Sequence, residues 1–393
     1  MYRIEDVLES VQEGAPPPRT GTAEIIANAR RIRQRRRWAT VAGAGAAAVA
    51  TVALVAGVTG TVPRAGNPVT PAAAEPTPAK TAPKVFTQPK GLEYTVGTSR
   101  AGAWQIGPVR AATYGYQEIP IYRDGETVMS DGVPYPVSDG TITLYRPGAY
   151  DPASFGRSDV PEWRYGAPED VTIAGRPGIM RELQYDLPDL ADLKAQRKKN
   201  SKLKPNDPSI KRNPYSAPAV AWQYDGTAWA TFLPSPQRET LSREETVAVV
   251  EGLEPQAGRP IRAPYTFGWL PAGWRVTGAE QSAPDVDPFV SEVTIDERLP
   301  TGKDLVTPID YYPGGGHLTI FKGKPKPGNA PAKGRDLSCK DNNGYCTMVI
   351  DDEYSAELQR VGKALTMDDV RHILRELKVI PSLNDLNTWK PLS

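Results

Sequence analysis

Apolar and polar positions alternate in short runs along most of the chain, with one long exception near the N-terminus. Residues 38–62 form a run without a single charged side chain. About 20 apolar residues suffice to cross the hydrocarbon core of a bilayer as a helix. The run therefore predicts a transmembrane helix over residues 38–62, preceded by a tail of residues 1–37.

Arginines crowd the N-terminal side of this run and are scarce on its C-terminal side. Cytoplasmic flanks of membrane helices carry an excess of Lys and Arg, so this bias places the N-terminus in the cytoplasm. A cleaved signal peptide is the alternative, but its apolar core is shorter, about 7–15 residues. The nearest good cleavage pattern, Ala72 to Ala74, lies well past the run. The membrane-orienting residues are Arg30, Arg31, Arg33, Arg35, Arg36 and Arg37.

The pattern changes twice after the apolar run. Residues 63–84 carry six prolines among Ala and Thr, which predicts an extended, semi-rigid stalk. From residue 85 onward, short alternating segments such as GTITLYR (140–146) and HLTIFK (317–322) are separated by Gly and Pro turns. This pattern is typical of antiparallel strands. The chain beyond the stalk is therefore expected to be built on sheets.

Two segments, beginning at Leu241 and Leu365, instead have helical spacing. The second residue of each, Ser242 or Thr366, is an N-cap candidate with an acidic residue three positions later, which is the pattern of a capping box. Upstream, residues 140–146 match 316–322 in residue type at each position. The matches predict two copies of one unit.

These copies are predicted to span residues 85–258 and 259–381, each a curved antiparallel sheet with a helix packed on it. The predicted fold class is therefore α+β, with a single transmembrane helix before the two tandem sheets. The first copy is longer because of a basic insertion at 186–214, and residues 382–393 form a C-terminal tail.

The only two cysteines, Cys339 and Cys346, flank a turn sequence at Asn342-Asn343-Gly344. A hairpin there brings the two thiols together, and a disulfide is the expected state in an oxidising extracytoplasmic space. A zinc site would need two more ligands, and neither histidine is close in sequence. We predict a disulfide, no metal and no cofactor.

Residues 267–276, FGWLPAGWRV, resemble the YLPEGY-type segment that opens uncharacterised extracytoplasmic domains of bacterial single-pass membrane proteins. In that family a strand of the LTI type follows, here at 317–320, and the domain closes with a helix, here at Thr366. The resemblance covers about residues 265–380 and, less closely, 140–254. It implies a half-open sheet similar to that of periplasmic lipoprotein carriers and regulators of envelope stress. It brings no catalytic residues.

Proteins with such domains are often encoded with membrane-linked sigma-factor systems. Many anti-sigma factors carry a zinc motif of His and Cys in the cytoplasmic tail. The tail of this chain, residues 1–37, contains neither residue type. This departure weakens a sigma-binding interpretation.

No catalytic constellation can be assembled from the residues. The chain has two histidines, His317 in a predicted strand and His372 in a predicted helix, and both positions favour a structural role. No G-x-S-x-G, S-x-x-K or H-E-x-x-H motif is present. We therefore expect the protein not to be an enzyme.

Aromatic and basic side chains are the remaining candidates for binding. The aromatics form either a platform for wall sugars, a groove for a lipid chain, or simply part of the core. They are Trp222, Tyr224, Trp229, Trp269 and Trp274. The basic insertion either contacts anionic lipids and polymers or is a solvated, disordered loop. Its candidate residues are Lys194, Arg197, Lys198, Lys199, Lys202 and Lys204.

Together these features predict a non-enzymatic, single-pass protein of the bacterial envelope whose extracytoplasmic part binds a lipid, a polymer or a protein. A cell-wall-modifying enzyme and a purely structural scaffold are the alternatives. The short tail offers a surface for a cytoplasmic partner, and the topology excludes nucleic acid. The net charge of +1 gives no electrostatic indication of a polyanionic ligand.

Overall fold

A computed structural model of the chain describes residues 84–86, 89, 91–130, 133–157, 163–198, 200, 202–203, 207–235, 241–281, 289–306, 315–322, 337–383 and 385–392. The predicted cytoplasmic tail, the predicted transmembrane helix at 38–62, the six membrane-orienting arginines and the stalk up to residue 83 lie outside this part of the chain. Among the described residues, no helix has the length and apolar character needed to span a bilayer.

Short strands dominate this part of the chain. In chain order they are β1 Glu93–Val96, β2 Ser99–Ala101, β3 Trp104–Ile106, β4 Ala111–Thr113, β5 Tyr116–Ser130, β6 Val133–Tyr145, β7 Arg164–Tyr165, β8 Glu169–Ile173, β9 Arg176–Pro188, β10 Arg212–Asp225, β11 Ala228–Pro234, β12 Pro255–Pro260, β13 Arg262–Ala263, β14 Tyr265–Phe267, β15 Arg275–Gln281, β16 Phe289–Asp296, β17 Gly316–Lys322, β18 Leu337–Lys340, β19 Tyr345–Val349, β20 Tyr354–Arg360, β21 Leu377–Val379 and β22 Lys390–Pro391. The α-helices are α1 Leu190–Arg197, α2 Arg243–Glu251 and α3 Met367–Arg375.

Sixteen of these strands form one sheet, and its centre is an antiparallel pair between β4 and β15. The main path runs β18-β19-β20-β17-β16-β15-β4-β5-β6-β11-β10-β9-β7. At the junction Gly278 pairs with Thr113 and Glu280 with Ala111. The pairing satisfies the backbone groups that each half would otherwise leave open at its inner edge.

The predicted α+β fold class with two separate tandem sheets is wrong, and the transmembrane helix predicted before them lies outside the described residues. Strands account for 51% of the structure and helices for 15%, so the fold is mainly β. The two predicted sheets are one sheet, because β4 and β15 pair across 165 to 169 positions of sequence. A pattern of local alternation carries no information about such a distant partner.

The strand order is nevertheless the same on both sides of the junction. Moving outward, the N-terminal half runs β4-β5-β6-β11-β10-β9, and the C-terminal half runs β15-β16-β17-β20-β19-β18. In each half a helix follows the last of these six strands in chain order, α2 after β11 and α3 after β20. We propose that the shared strand order arose from two tandem copies of one unit, divided near residue 258.

Each helix packs on its own half of the sheet. Both helices begin at the predicted capping boxes: Ser242 accepts from the backbone of Glu245, Thr366 from that of Asp369, and both acidic side chains return a bond. The helix α2 contributes Val249 and Val250 to a core of isoleucines and aromatics, and α3 contributes Ile373 and Leu374 to a second core. The paired boxes confirm the predicted starts of both helices.

The C-terminal residues 385–392 contact the second core through Trp389 and Leu392. Trp389 is buried and its indole nitrogen donates to the carbonyl of Leu383 at 3.2 Å. The strand β22 that follows pairs with β13. These contacts fix the described part of the predicted tail to the folded half that precedes it.

Candidate functional site

The five predicted ligand-facing aromatics lie in three different places. Trp222 and Tyr224 face the α2 side of the N-terminal half, whereas Trp229 packs into a small aromatic cluster on the opposite face. Trp269 and Trp274 are half-buried against the core of the C-terminal half. The ring of Trp269 stacks on that of His372, with ring centres 4.1 Å apart. Trp222 and Tyr224 together line a cleft.

That cleft is a shallow depression, with about 20 Å³ of free volume, between the C-terminal end of α2 and the strands beneath it. Four separate segments form its walls: the β8–β9 turn, the end of β10, the last turn of α2 and residues 84–86. The lining residues are Lys84, Phe86, Ile173, Ala174, Arg176, Trp222, Tyr224, Val250, Glu251 and Leu253. We call this the α2 cleft.

The floor of the α2 cleft is apolar. Ile173, Val250 and Leu253 are buried and belong to the core under α2. Trp222 retains only 3% of its surface exposed, so most of its side chain packs in the core. The residue is therefore both a core side chain and a wall of the cleft.

Residues 84–86 close one side of the cleft. The Lys84 ammonium donates to the carbonyls of Glu251 and Leu253, at 3.0 and 2.8 Å, and to a carboxylate oxygen of Glu254 at 2.7 Å. The last carbonyls of a helix lack intrahelical partners and carry partial negative charge, so a cation there is stabilising. Lys84 thus caps the C-terminal end of α2.

Phe86 covers the aromatic wall. Its ring meets that of Tyr224 edge to face, with centres 5.2 Å apart, a favourable geometry for two aromatic rings. The Tyr224 hydroxyl donates to the carbonyl of Tyr145 at 2.9 Å, which holds its ring in place. The fixed ring forms a flat apolar surface on which Phe86 rests.

The rim of the cleft carries charges of both signs. The Glu251 carboxylate accepts from the backbone N–H of Ala174 at 2.7 Å, and Ala174 has a left-handed backbone with φ of 47°. The Arg176 side chain is 25% exposed, and its nearest acidic oxygen, on Asp225, is 3.9 Å away. That separation is too long for a hydrogen bond, so the contact is an ion pair at the rim of the cleft.

The basic insertion is not one irregular loop. Residues 186–214 extend β9 and β10, and α1 lies between these two strands. Lys194, Arg197, Lys198 and Lys202 are exposed, whereas Lys199 and Lys204 lie outside the described residues. The exposed four form no part of the α2 cleft.

A second charged group lies on the sheet face opposite the helices. An Arg110 nitrogen donates to Glu118 at 3.1 Å, and another lies 3.5 Å from Glu280, so this guanidinium connects strands on both sides of the junction. Burial lowers the pKa of Arg110, but Glu280 and Glu118 raise it by more, so the pKa is raised overall. These contacts stabilise the junction.

His317 lies on β17 and His372 on α3, as predicted. On the same opposite face, His317 Nδ1 is 3.5 Å from a Glu292 oxygen. Within the described ranges, no group of three or more His, Cys, Asp and Glu side chains is arranged to hold a metal ion. The arrangement of His317 and Glu292 supports ion pairing.

The predicted disulfide is present and joins the two outermost strands of the C-terminal half. Cys339 on β18 and Cys346 on β19 are directly opposite each other in the register. The turn between them ends at Gly344 in the left-handed conformation, with φ of 73°. The bond thus covalently ties a terminal strand of the sheet to its neighbour.

Comparison with known proteins gives little beyond this geometry. No family model and no curated relative matches the chain. Among solved structures it is similar to MucB in a crystal structure with MucA(peri), at 12% identity over 72% of this chain and 94% of that one. A second is a MucA/MucB complex of Pseudomonas aeruginosa, at 12% identity over 73% and 92%. Both TM-scores are 0.17, too low to carry an argument about function.

Sequence reasoning found Trp222 and Tyr224 but missed the other walls of the cleft. It assigned Lys84 to the stalk, and it did not single out Phe86 or Arg176. The one local signal was an aromatic residue, Phe86, directly after a Pro- and Ala-rich stretch. Its partners are 87 or more positions away, so only the folded structure brings them together.

Proposed function

We propose that the protein is a non-enzymatic binding protein whose α2 cleft receives an apolar group of its ligand. The observation that carries the proposal is the composition of the cleft: an apolar floor walled by the rings of Phe86, Trp222 and Tyr224, with few charges at its rim. Small-molecule sites are typically concave and apolar, with a small number of placed polar groups. A scaffold has no need for an open aromatic cleft.

We further propose that the folded part works outside the cytoplasm of a bacterial cell. The disulfide supports this location, because such bonds persist in oxidising compartments. The orientation, with the N-terminus in the cytoplasm and a single crossing, rests on the charge bias around residues 38–62. The resemblance of residues 267–276 to YLPEGY-type extracytoplasmic domains points to the same location.

Native mass spectrometry of the full chain, purified gently from its own membranes, tests the proposal. We expect a co-purifying lipid or glycolipid that leaves on denaturation. Filling the cleft by Ala174→Trp should remove at least about nine-tenths of the bound species, since each 1.4 kcal/mol of lost affinity is tenfold. Ala103→Trp, at an exposed turn of the same half, is the matched control and should retain the ligand.

Two results would count against the cleft. A ligand retained equally by both variants would place the binding site elsewhere. A protein that is free of ligand, and that takes up none from an envelope extract, would favour a protein partner or a scaffold instead.

A further inference from the structure

We propose that the end of the long β9–β10 hairpin is a second interaction surface, which docks on anionic phospholipid headgroups of the membrane. The surface consists of exposed basic side chains on α1 and on the chain between α1 and β10, and we call it the basic tip. Its members are Lys194, Arg197, Lys198, Lys202 and Lys211. This inference goes beyond the α2 cleft, but it rests on the proposed single crossing, which holds the folded part near a bilayer.

The basic tip has a defined structure, because α1 is tied to the chain that enters β10. The Asp192 carboxylate accepts from the backbone N–H of Lys211 at 2.7 Å, and the backbone N–H of Asp189 donates to the Lys211 carbonyl at 2.7 Å. Leu193 on α1 and Ile210 before β10 are both buried. The cations are therefore presented by a folded end of the hairpin.

The carboxylates of this hairpin end do not neutralise its cations. Asp192 accepts from the Lys211 backbone and from the Gln196 side chain, and Asp207 accepts from the hydroxyl and the backbone N–H of Ser209. Among the residues that the structure describes, no ion pair includes a member of the basic tip. Its positive charges are thus available to an external anion.

The cations are also concentrated. The described residues between 189 and 212 carry six basic and three acidic side chains, a net charge of +3, against +1 for the whole chain. Lys194, Arg197 and Lys198 have the spacing that places side chains on one side of a helix. Clustered Lys and Arg side chains are attracted to the negative surface potential of anionic lipids. The basic tip has the charge for such a surface.

The chain before the folded part is long enough for the basic tip to reach the membrane. Lys84 lies beside Arg176 at the start of β9, whereas the basic tip follows the other end of that strand. The 13 residues of β9 span about 40 Å. Residues 63–83, between the predicted span and Lys84, reach up to about 70 Å when fully extended. The bilayer that anchors the chain is therefore within reach of the hairpin end.

Energy transfer between the basic tip and the lipid headgroups tests the proposal. The full chain, with a donor dye on Asn200→Cys, is placed in nanodiscs that contain rhodamine-labelled lipid. Both native cysteines are in the disulfide, so the new thiol is the one that reacts. We expect high transfer in discs of equal parts phosphatidylglycerol and phosphatidylcholine. Transfer should be low in phosphatidylcholine alone, and also in about 0.5 M NaCl, which screens the charges.

Charge removal should release the basic tip. Each Lys near an anionic surface changes the ratio of docked to free molecules about fivefold. The combination of Lys194→Gln, Lys198→Gln and Lys202→Gln should therefore lower this ratio about a hundredfold. The matched control combines Lys363→Gln, Lys378→Gln and Lys390→Gln, which removes the same charge from exposed positions in the C-terminal half. It should leave the transfer unchanged.

The outcomes separate this proposal from the proposed function. Ala174→Trp, which fills the α2 cleft, should dock as the wild type does, so a failure of cleft binding leaves the basic tip intact. Equal transfer in both lipid mixtures, or an equal loss in both triple variants, would overturn the docking alone. Low transfer in anionic discs together with retention on immobilised polyphosphate would point to an anionic polymer instead of a membrane. A chain that alkaline carbonate strips from the discs would overturn the single crossing and, with it, this inference.

Discussion

Replacing Phe232 by alanine is expected to lower the free energy of unfolding by about 3–5 kcal/mol, the range for removing a large buried aromatic side chain. Phe232 lies on β11, is fully buried, and is in the core under α2. Denaturant unfolding, followed by the fluorescence of the tryptophans, measures the change. A loss below about 1 kcal/mol would show that this core is not packed as described.

The same ring makes a glycine necessary at position 140. A Cβ added to Gly140 would lie 2.4 Å from the Phe232 ring, so Gly140→Ala should cost about 1–3 kcal/mol by overpacking. With Phe232 reduced to alanine, the added methyl has room. The double variant should therefore lose less than the sum of the two single variants, by at least about 0.5 kcal/mol.

A control and a contradicting result complete this cycle. A Cβ at Gly91 would meet no atom within 4 Å, so Gly91→Ala should stay within about 0.5 kcal/mol of the wild type. Strictly additive effects of Gly140→Ala and Phe232→Ala would contradict the close contact between these residues.

Reducing the Cys339–Cys346 bond is expected to cost about 2–3 kcal/mol, the loop-closure value for a bond that closes a loop of this size. The bond constrains the unfolded chain, and Cys346 is fully buried in the core of the C-terminal half. Its effect should appear as a lower denaturant midpoint in the presence of reductant, with mass spectrometry of the alkylated protein confirming two free thiols.

The matched control for this prediction is Cys339→Ala combined with Cys346→Ala. That variant should be less stable than the wild type and indifferent to reductant. An unchanged midpoint in wild type that mass spectrometry shows to be fully reduced would contradict a stabilising role of the bond.

Local features of the fold could be predicted, because their signals are local. The capping boxes at Ser242 and Thr366 and the hairpin that joins Cys339 to Cys346 each lie within eight residues of sequence, and the structure confirms them. The matched strands at 140–146 and 316–322 are also present as parts of β6 and β17. Both segments begin with glycine for the same physical reason. A Cβ at Gly140 would clash with Phe232, and a Cβ at Gly316 would lie 2.9 Å from Leu365.

The joining of the two halves could not be predicted. The strand β4 has three residues, and its partner β15 begins at Arg275, so no local pattern indicates the pairing. The α2 cleft could not be predicted either, because its walls come from four segments that are distant in sequence. The sequence singles out Trp222 as a candidate aromatic, but its sequence context does not show that it is at once a core residue and a cleft wall.

Photocrosslinking with a fatty acid that carries a diazirine in its chain tests the central claim most directly. After irradiation of the full chain, peptide mapping locates the residues that captured the probe. The account predicts capture at 84–86, 173–176, 222–224 and 250–253, the four segments of the α2 cleft, and its loss in Ala174→Trp. Capture confined to the basic insertion at 186–214 or to the C-terminal half, unaffected by Ala174→Trp, would contradict it.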